Sequence, residues 1–242
     1  MTKSSAQRPW AVIMRRELAS YFNSPVAYIV CCLFLLLSGF LFFSTFFLGR
    51  RAELRGFFEL LPITFSFFIP ALTMRLFSEE AHSGSIETLL TLPVTSLDVV
   101  LGKFLAACIS SCVLLVPTLF YVITCALFGS PDAGPIVGGY IGALLLAGSY
   151  SAIGLFASSV TKNQIVAFFV ALALCVLLTF INIFAILMPA VLVGFTSFIS
   201  ATSHFESISR GIIDTRDVLY FVSVTALFFV LTVQTLERAR RD

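Results

Sequence analysis

Apolar residues in this chain fall in long unbroken runs, without the alternation of a strand or the one-sided stripe of a helix in water. No Asp, Glu, Lys or Arg occurs between Glu17 and Arg50, Glu59 and Arg75, Lys103 and Asp132, Asp132 and Lys162, Lys162 and Glu206, or Asp217 and Glu237. A helix needs roughly 20 apolar residues to cross a hydrocarbon core, so these runs predict membrane spans. Their expected positions are about 26–48, 57–76, 99–128, 136–160, 165–188 and 218–236. The second must include Glu59, because only 15 charge-free residues lie between it and Arg75, and it carries Pro62 and Pro70 as tolerated kinks. The stretch 163–205 has 43 residues without a charge, enough by length for two crossings. Gly194 and the polar group Thr196, Ser197, Ser200, Thr202, Ser203 and His204 instead predict one crossing, ended near Pro189. Short re-entrant helices then dip into the outer leaflet over 190–216.

Charge placement fixes the orientation. Basic residues collect on the cytoplasmic side, and both ends of the chain are basic: Lys3, Arg8, Arg15 and Arg16 at one, Arg238, Arg240 and Arg241 at the other. Two cytoplasmic ends require an even number of crossings, and six satisfies it. Of the 15 basic residues, ten then lie inside, while Arg50, Arg51, Arg55, Arg210 and Arg216 lie outside, offset near the first outer loop by Glu53 and Glu59. Ahead of the first span, 9–22 reads as an amphipathic interfacial helix with Trp10, Ile13, Met14, Leu18 and Tyr21 on one face and Pro9 in its first turn.

Composition agrees. With 59% hydrophobic and 12% charged residues, the chain has about half the charge that covers a soluble domain, and six crossings of its 242 residues leave no room for a soluble catalytic domain. The expected fold is an all-α polytopic integral membrane protein, a single transmembrane domain over 1–242. A net charge of +2 gives no reason to expect nucleic acid. All six cysteines sit in apolar runs without a CxxC, which points to lipid-tolerant packing and away from disulfides or metal. Gly139, Ala143, Ala147 and Ser151 recur every fourth residue in the fourth span, a spacing that brings helices into close contact.

The most polar connection, 78–95 between spans 2 and 3, is built like a lever. Arg75 and Glu79 stand at i, i+4 and are expected to pair. Gly84 permits a sharp turn, Ser85 can cap a short helix over 86–92 that Pro93 ends, and Thr95 with Asp98 forms a capping box for span 3. Lys103 is expected to snorkel toward the interface. Glu79, Glu80 and His82 do not converge as metal ligands do, and Gly102-Lys103 lacks the glycine-rich loop that cradles phosphate. No catalytic or metal-binding residue is expected.

Here the residues become specific. Glu79-Glu80, the run Gly84-Ser85-Ile86-Glu87-Thr88-Leu89-Leu90, Leu92-Pro93-Val94, Ser96-Leu97-Asp98-Val99 and Leu101-Gly102-Lys103 resemble the coupling-helix region of ABC-type-2 transporter permeases, the membrane subunits of ATP-binding cassette exporters. Arg15-Arg16-Glu17-Leu18, Tyr21-Phe22 and Ser24-Pro25 are similar to that family's N-terminal elbow helix. The short length and the segment 204–217 look most like the gliding-associated GldF-type and NosY-type subgroup. The resemblance implies a non-enzymatic permease of the bacterial cytoplasmic (inner) membrane, paired with a second permease copy. It places Glu79, Glu80, Gly84, Glu87, Leu89, Leu90 and Pro93 at the coupling element and Arg15, Arg16 and Glu17 in the elbow. No cofactor is bound by this chain; ATP and Mg belong to a separate cytoplasmic ABC ATPase. An accessory membrane or periplasmic protein can join such a pair. The alternative, an ATP-independent secondary transporter or channel, requires polar groups in the membrane. Glu59 and Asn182 are the candidates, each also placed to serve as a dimer contact.

Overall fold

The computed structural model describes residues 8–49, 53–85, 94–129, 131–184, 190–212 and 214–241. These are helical without strands: α1 Pro9–Asn23, α2 Pro25–Gly49, α3 Arg55–Thr73, α4 Arg75–Ser83, α5 Ser96–Leu115, α6 Leu119–Phe128, α7 Ala133–Val160, α8 Gln164–Phe184, α9 Ala190–Ile199, α10 Ala201–Ser209 and α11 Thr215–Arg241. Six stretches are long and apolar enough to cross a membrane: α2, α3 with α4, α5 with α6, α7, α8 and α11. The chain is a multi-pass membrane protein.

The spans divide into an inner and an outer set. In α7, 72% of the most apolar window is buried inside the protein, against 22% in α2 and 17% in α11, so α7 is the hub. Its small residues explain this. A Cβ on Gly139 would come within 2.6 Å of the Phe58 ring of α3, and one on Gly142 would meet Phe205 and Ile208 of α10. Ala143, Ala147 and Ser151 are buried in the same row, and Ser151 Oγ lies 3.2 Å from Ser111 Oγ of α5. Close backbone approach lets dispersion contacts accumulate where lipid supplies no hydrophobic drive between helices. The exposed residues of α2, α8 and α11 are mostly apolar, among them Leu36, Phe40, Phe169 and Leu227.

Two spans are broken, each at a defined place. Pro117 interrupts the third with a 3₁₀ turn, Val116–Thr118, and Thr118 Oγ1 donates to the Leu115 carbonyl while meeting Tyr140 Oη at 3.0 Å. The second breaks at Met74, four residues past Pro70, where α4 starts afresh. Ser158 of α7 fills that break. Its hydroxyl donates to the Met74 carbonyl at 2.9 Å and accepts from the N–H groups of Phe77 and Ser78 at 2.9 and 3.0 Å. The first turn of a helix leaves N–H groups without partners, and here a side chain from another span supplies the acceptor.

The bundle has two distinct ends. At one lie α1, α4, the start of α5, the end of α7 and the end of α11, whose Arg240 donates to the Val94 carbonyl. At the other lie the start of α3, the start of α7 and α10. The helices α9 and α10, 10 and 9 residues long, are too short to cross a membrane core of about 30 Å at 1.5 Å per residue. Thr202 of α10 donates to the Thr179 carbonyl of α8, so α10 lies beside the last turns of α8.

Candidate functional site

Four charged side chains form a joint at the α1 end. Pro9 at the first helical position starts α1. Its buried face packs on α5, where Gly102 has no side chain to hold off Ile13 and the Trp10 carbonyl. That approach brings Arg16 and Glu17 over the exit of α4 and the entrance of α5. Lys103, fully buried, reaches Glu17 Oε1 at 3.0 Å and donates to the Leu76 carbonyl at 2.6 Å. It also lies 3.0 Å from Glu80 Oε2, close enough for charge attraction but off the line of a hydrogen bond. Arg16 Nη2 closes the ring, 2.9 Å from Glu17 Oε1 and 2.6 Å from Glu80 Oε1. Phe77 presents its ring face to Lys103 at 5.0 Å.

Two cations and two carboxylates make the joint neutral. Burial alone would push the Glu17 carboxyl up, but the Lys103 ammonium and the Arg16 guanidinium outweigh it and hold Glu17 below the ordinary carboxylate value. Burial likewise pulls the Arg16 guanidinium down, and Glu17 and Glu80 more than reverse it. A second tie runs beside the first: Tyr21 donates to the Leu72 carbonyl at 2.6 Å, and Arg75 donates to Ser24 Oγ at 2.7 Å while lying over the Tyr21 ring. The joint therefore fastens α1, α4 and α5 together on both flanks of the connection 86–93.

The expected residues distribute unevenly around it. Arg16, Glu17 and Glu80 are brought together, whereas Arg15 and Glu79 are exposed. Gly84 adopts a left-handed backbone, φ +73°, and ends α4 as the sharp turn requires. Glu87, Leu89, Leu90 and Pro93 lie outside the described residues. Thr95 caps α5 as expected, accepting from the Asp98 N–H at 3.1 Å and bonding its carboxylate at 2.6 Å.

Two expectations are corrected. Arg75 does not pair with Glu79 among the described residues; the Ser24 hydroxyl and the Tyr21 ring, both at the end of α1, take its guanidinium instead. Lys103 does not snorkel, since two carboxylates and a carbonyl satisfy it inside the protein. Glu80, which the resemblance places with Glu79 in the coupling element, is a partly buried member of the joint. The signal in the chain was Lys103 itself, a lone cation just inside an apolar run.

At the other end, Glu59 is half exposed and pairs with Arg55 at 3.1 Å, one turn away on α3. Both line a 300 Å³ cleft with Glu53, Asp132, Glu206 and Arg210. Asn182 is exposed near the end of α8 and forms no hydrogen bond within the chain among the described residues. His204 pairs with Asp217 at 2.6 Å, while Glu206 turns to Arg210 at 3.5 Å.

These features place the chain in one class, the multi-pass helical membrane proteins. Residues 11–239 match the family described as ABC-2 family transporter protein, and the chain belongs to that family. No curated protein matches it.

Proposed function

We propose that the chain is the permease subunit of an ABC exporter of the bacterial cytoplasmic membrane, of the GldF-type or NosY-type subgroup. Two copies form the transmembrane pathway, with both chain ends cytoplasmic. The segment 78–95 docks on a separate ABC ATPase, which binds ATP and Mg and hydrolyses the nucleotide; this chain is not itself an enzyme. Movement of the ATPase drives substrate export or transmits force to an accessory protein. The observation that supports this most directly is the neutral joint of Arg16, Glu17, Glu80 and Lys103. A push on 86–93 reaches α4 and α5, and the joint makes α1 move with them as one body. In this reading α1 is the elbow helix, Glu79 faces the partner, and Glu80 is a positioning residue that keeps the lever rigid.

The test uses the permease co-expressed with the P-loop ATPase that co-purifies with it. Wild-type permease is expected to stimulate ATP hydrolysis. Glu87→Arg or Leu90→Arg is expected to leave the permease folded in the membrane and to abolish that stimulation. Stimulation equal to wild type in both variants would sink the assignment of this segment.

A further inference from the structure

We propose that His204 is a proton-dependent latch on the end of α9. It ties α9 to α10 and α11 while it shares an extra proton with Asp217, and it lets go of α9 when that proton leaves. The inference is independent of the transport reading.

The last carbonyls of a helix have no donor within the helix, and two of those at the end of α9 are met from other elements. Tyr220 of α11 donates its hydroxyl to the Ile199 carbonyl. His204 of α10 places Nε2 2.9 Å from the Phe198 carbonyl. The other ring nitrogen, Nδ1, lies 2.6 Å from Asp217 Oδ1 in the first turn of α11. The ring itself stacks on Tyr220 at 4.2 Å, so it cannot turn freely to choose new partners.

Proton counting makes this arrangement conditional. A carbonyl and an ionised carboxylate only accept, and a neutral imidazole has one N–H. Both contacts therefore form only when the pair holds a second proton. It is either an imidazolium facing a carboxylate, or a carboxylic acid donating to Nδ1 while Nε2–H donates to Phe198. When that proton passes to water, one nitrogen lone pair must face an oxygen. Asp217 decides which. It is 7% exposed and its Oδ2 has no hydrogen-bond partner, so His204 is the one donor to this carboxylate among the described residues. A buried carboxylate costs more to leave without a donor than a neutral carbonyl does. The remaining N–H stays on Asp217, and the contact to Phe198 is the one lost.

No neighbouring group takes over the role of that proton. Neither α8 nor α9 contains Asp, Glu, Lys or Arg. Nor does α7, whose Tyr150 hydroxyl is occupied by Thr179. On α10, Glu206 is paired with Arg210. Ahead of Asp217, Asp214 Oδ1 accepts the Arg216 backbone N–H, and both side chains line a 990 Å³ cavity between α8 and α11. His204 lines the same cavity and is partly exposed, which opens it to proton exchange. The sign follows: the latch is closed at low pH and loosens as the pH rises.

The chain has two histidines, so His82→Gln leaves His204 as the single ring to observe by nitrogen-15 NMR of the histidine-labelled full chain in detergent. From about pH 5 to 8, the range in which histidine serves as a switch, the ring is expected to pass from two N–H groups to one. Over the same range, amide exchange in α9, corrected for its intrinsic pH dependence, is expected to quicken about tenfold, the scale of one hydrogen bond to a charged group. Asp217→Asn keeps an acceptor but removes the charge, and is expected to move the transition about one unit lower, a tenfold loss of proton affinity. His204→Phe keeps a ring against Tyr220 without a proton. Its α9 is expected to exchange at every pH as the wild type does at the basic end. A ring that stays neutral or stays doubly protonated across the range would overturn the proposal. So would α9 exchange that ignores pH, a transition unmoved by Asp217→Asn, or the wild-type pH response persisting in His204→Phe.

Discussion

At the scale of single residues, the joint shows how a charge becomes affordable inside a membrane protein. Lys103 is fully buried, yet three acceptors surround it and the four side chains sum to zero charge. Such an arrangement adds little net stability over an apolar one, but removing one member leaves its partners uncompensated. Lys103→Met is expected to cost on the order of 3 kcal/mol in thermal or denaturant unfolding in detergent, and the pair Lys103→Met with Glu17→Gln to recover part of that loss. The pH dependence has a definite sign. Glu17 is held below its ordinary value, so its contribution is complete above about pH 4.3 and drains away as the pH falls through its lowered value. The melting temperature of the wild type should drop on acidification below about pH 4, and Glu17→Gln should drop less. A fall of equal size in both would remove Glu17 from the joint. None of these partners could be read from the chain, because Lys103 lies 86 residues from Glu17. Sequence pattern reports neighbours along one helix, and this joint is made by three.

At the scale of elements, the spans were legible and their breaks only partly so. Runs without charge foretell six apolar helices, and six are found among the described residues, because the hydrocarbon core sets both their length and their composition. Thr95 and Asp98 also mark the start of α5 correctly, since a capping box acts through groups three residues apart. The break at Met74 was hidden: the prolines drew attention to 62 and 70, but what stabilises the break is Ser158 from another span. Ser158→Ala should therefore cost about 2 kcal/mol, the scale of buried N–H groups left without an acceptor. It should also raise amide exchange selectively at Phe77 and Ser78, which hydrogen-exchange mass spectrometry can resolve over α4. Exchange unchanged there would mean that α4 satisfies its own first turn. A break held by one hydroxyl also has mechanical consequences: α4 is tied to the hub helix α7 on one side and to α1 on the other, so it cannot swing without disturbing either.

At the scale of the whole molecule, the number of crossings decides the orientation, and the ambiguity lay in 163–205. If that stretch crossed twice, four spans would separate the α4–α5 connection from α10, and both would face the same side of the membrane. If it crosses once, three spans separate them and they face opposite sides. Helix length favours one crossing. A helix of 10 residues such as α9 spans about 15 Å, half the core thickness, and α10 folds back beside α8. Charge then selects which side is which, because nine of the 12 basic residues among those described fall at the end that carries α1. Single cysteines at two exposed positions, Ser83→Cys and Arg210→Cys, test both steps in a background without the native cysteines. In intact cells a membrane-impermeant maleimide should label Arg210→Cys alone, and Ser83→Cys should react only after permeabilisation. Labelling of both or of neither in intact cells would restore the second crossing and put the two chain ends on opposite sides. The reversed pattern would keep the single crossing but turn the lever outward, beyond the reach of any cytoplasmic ATPase.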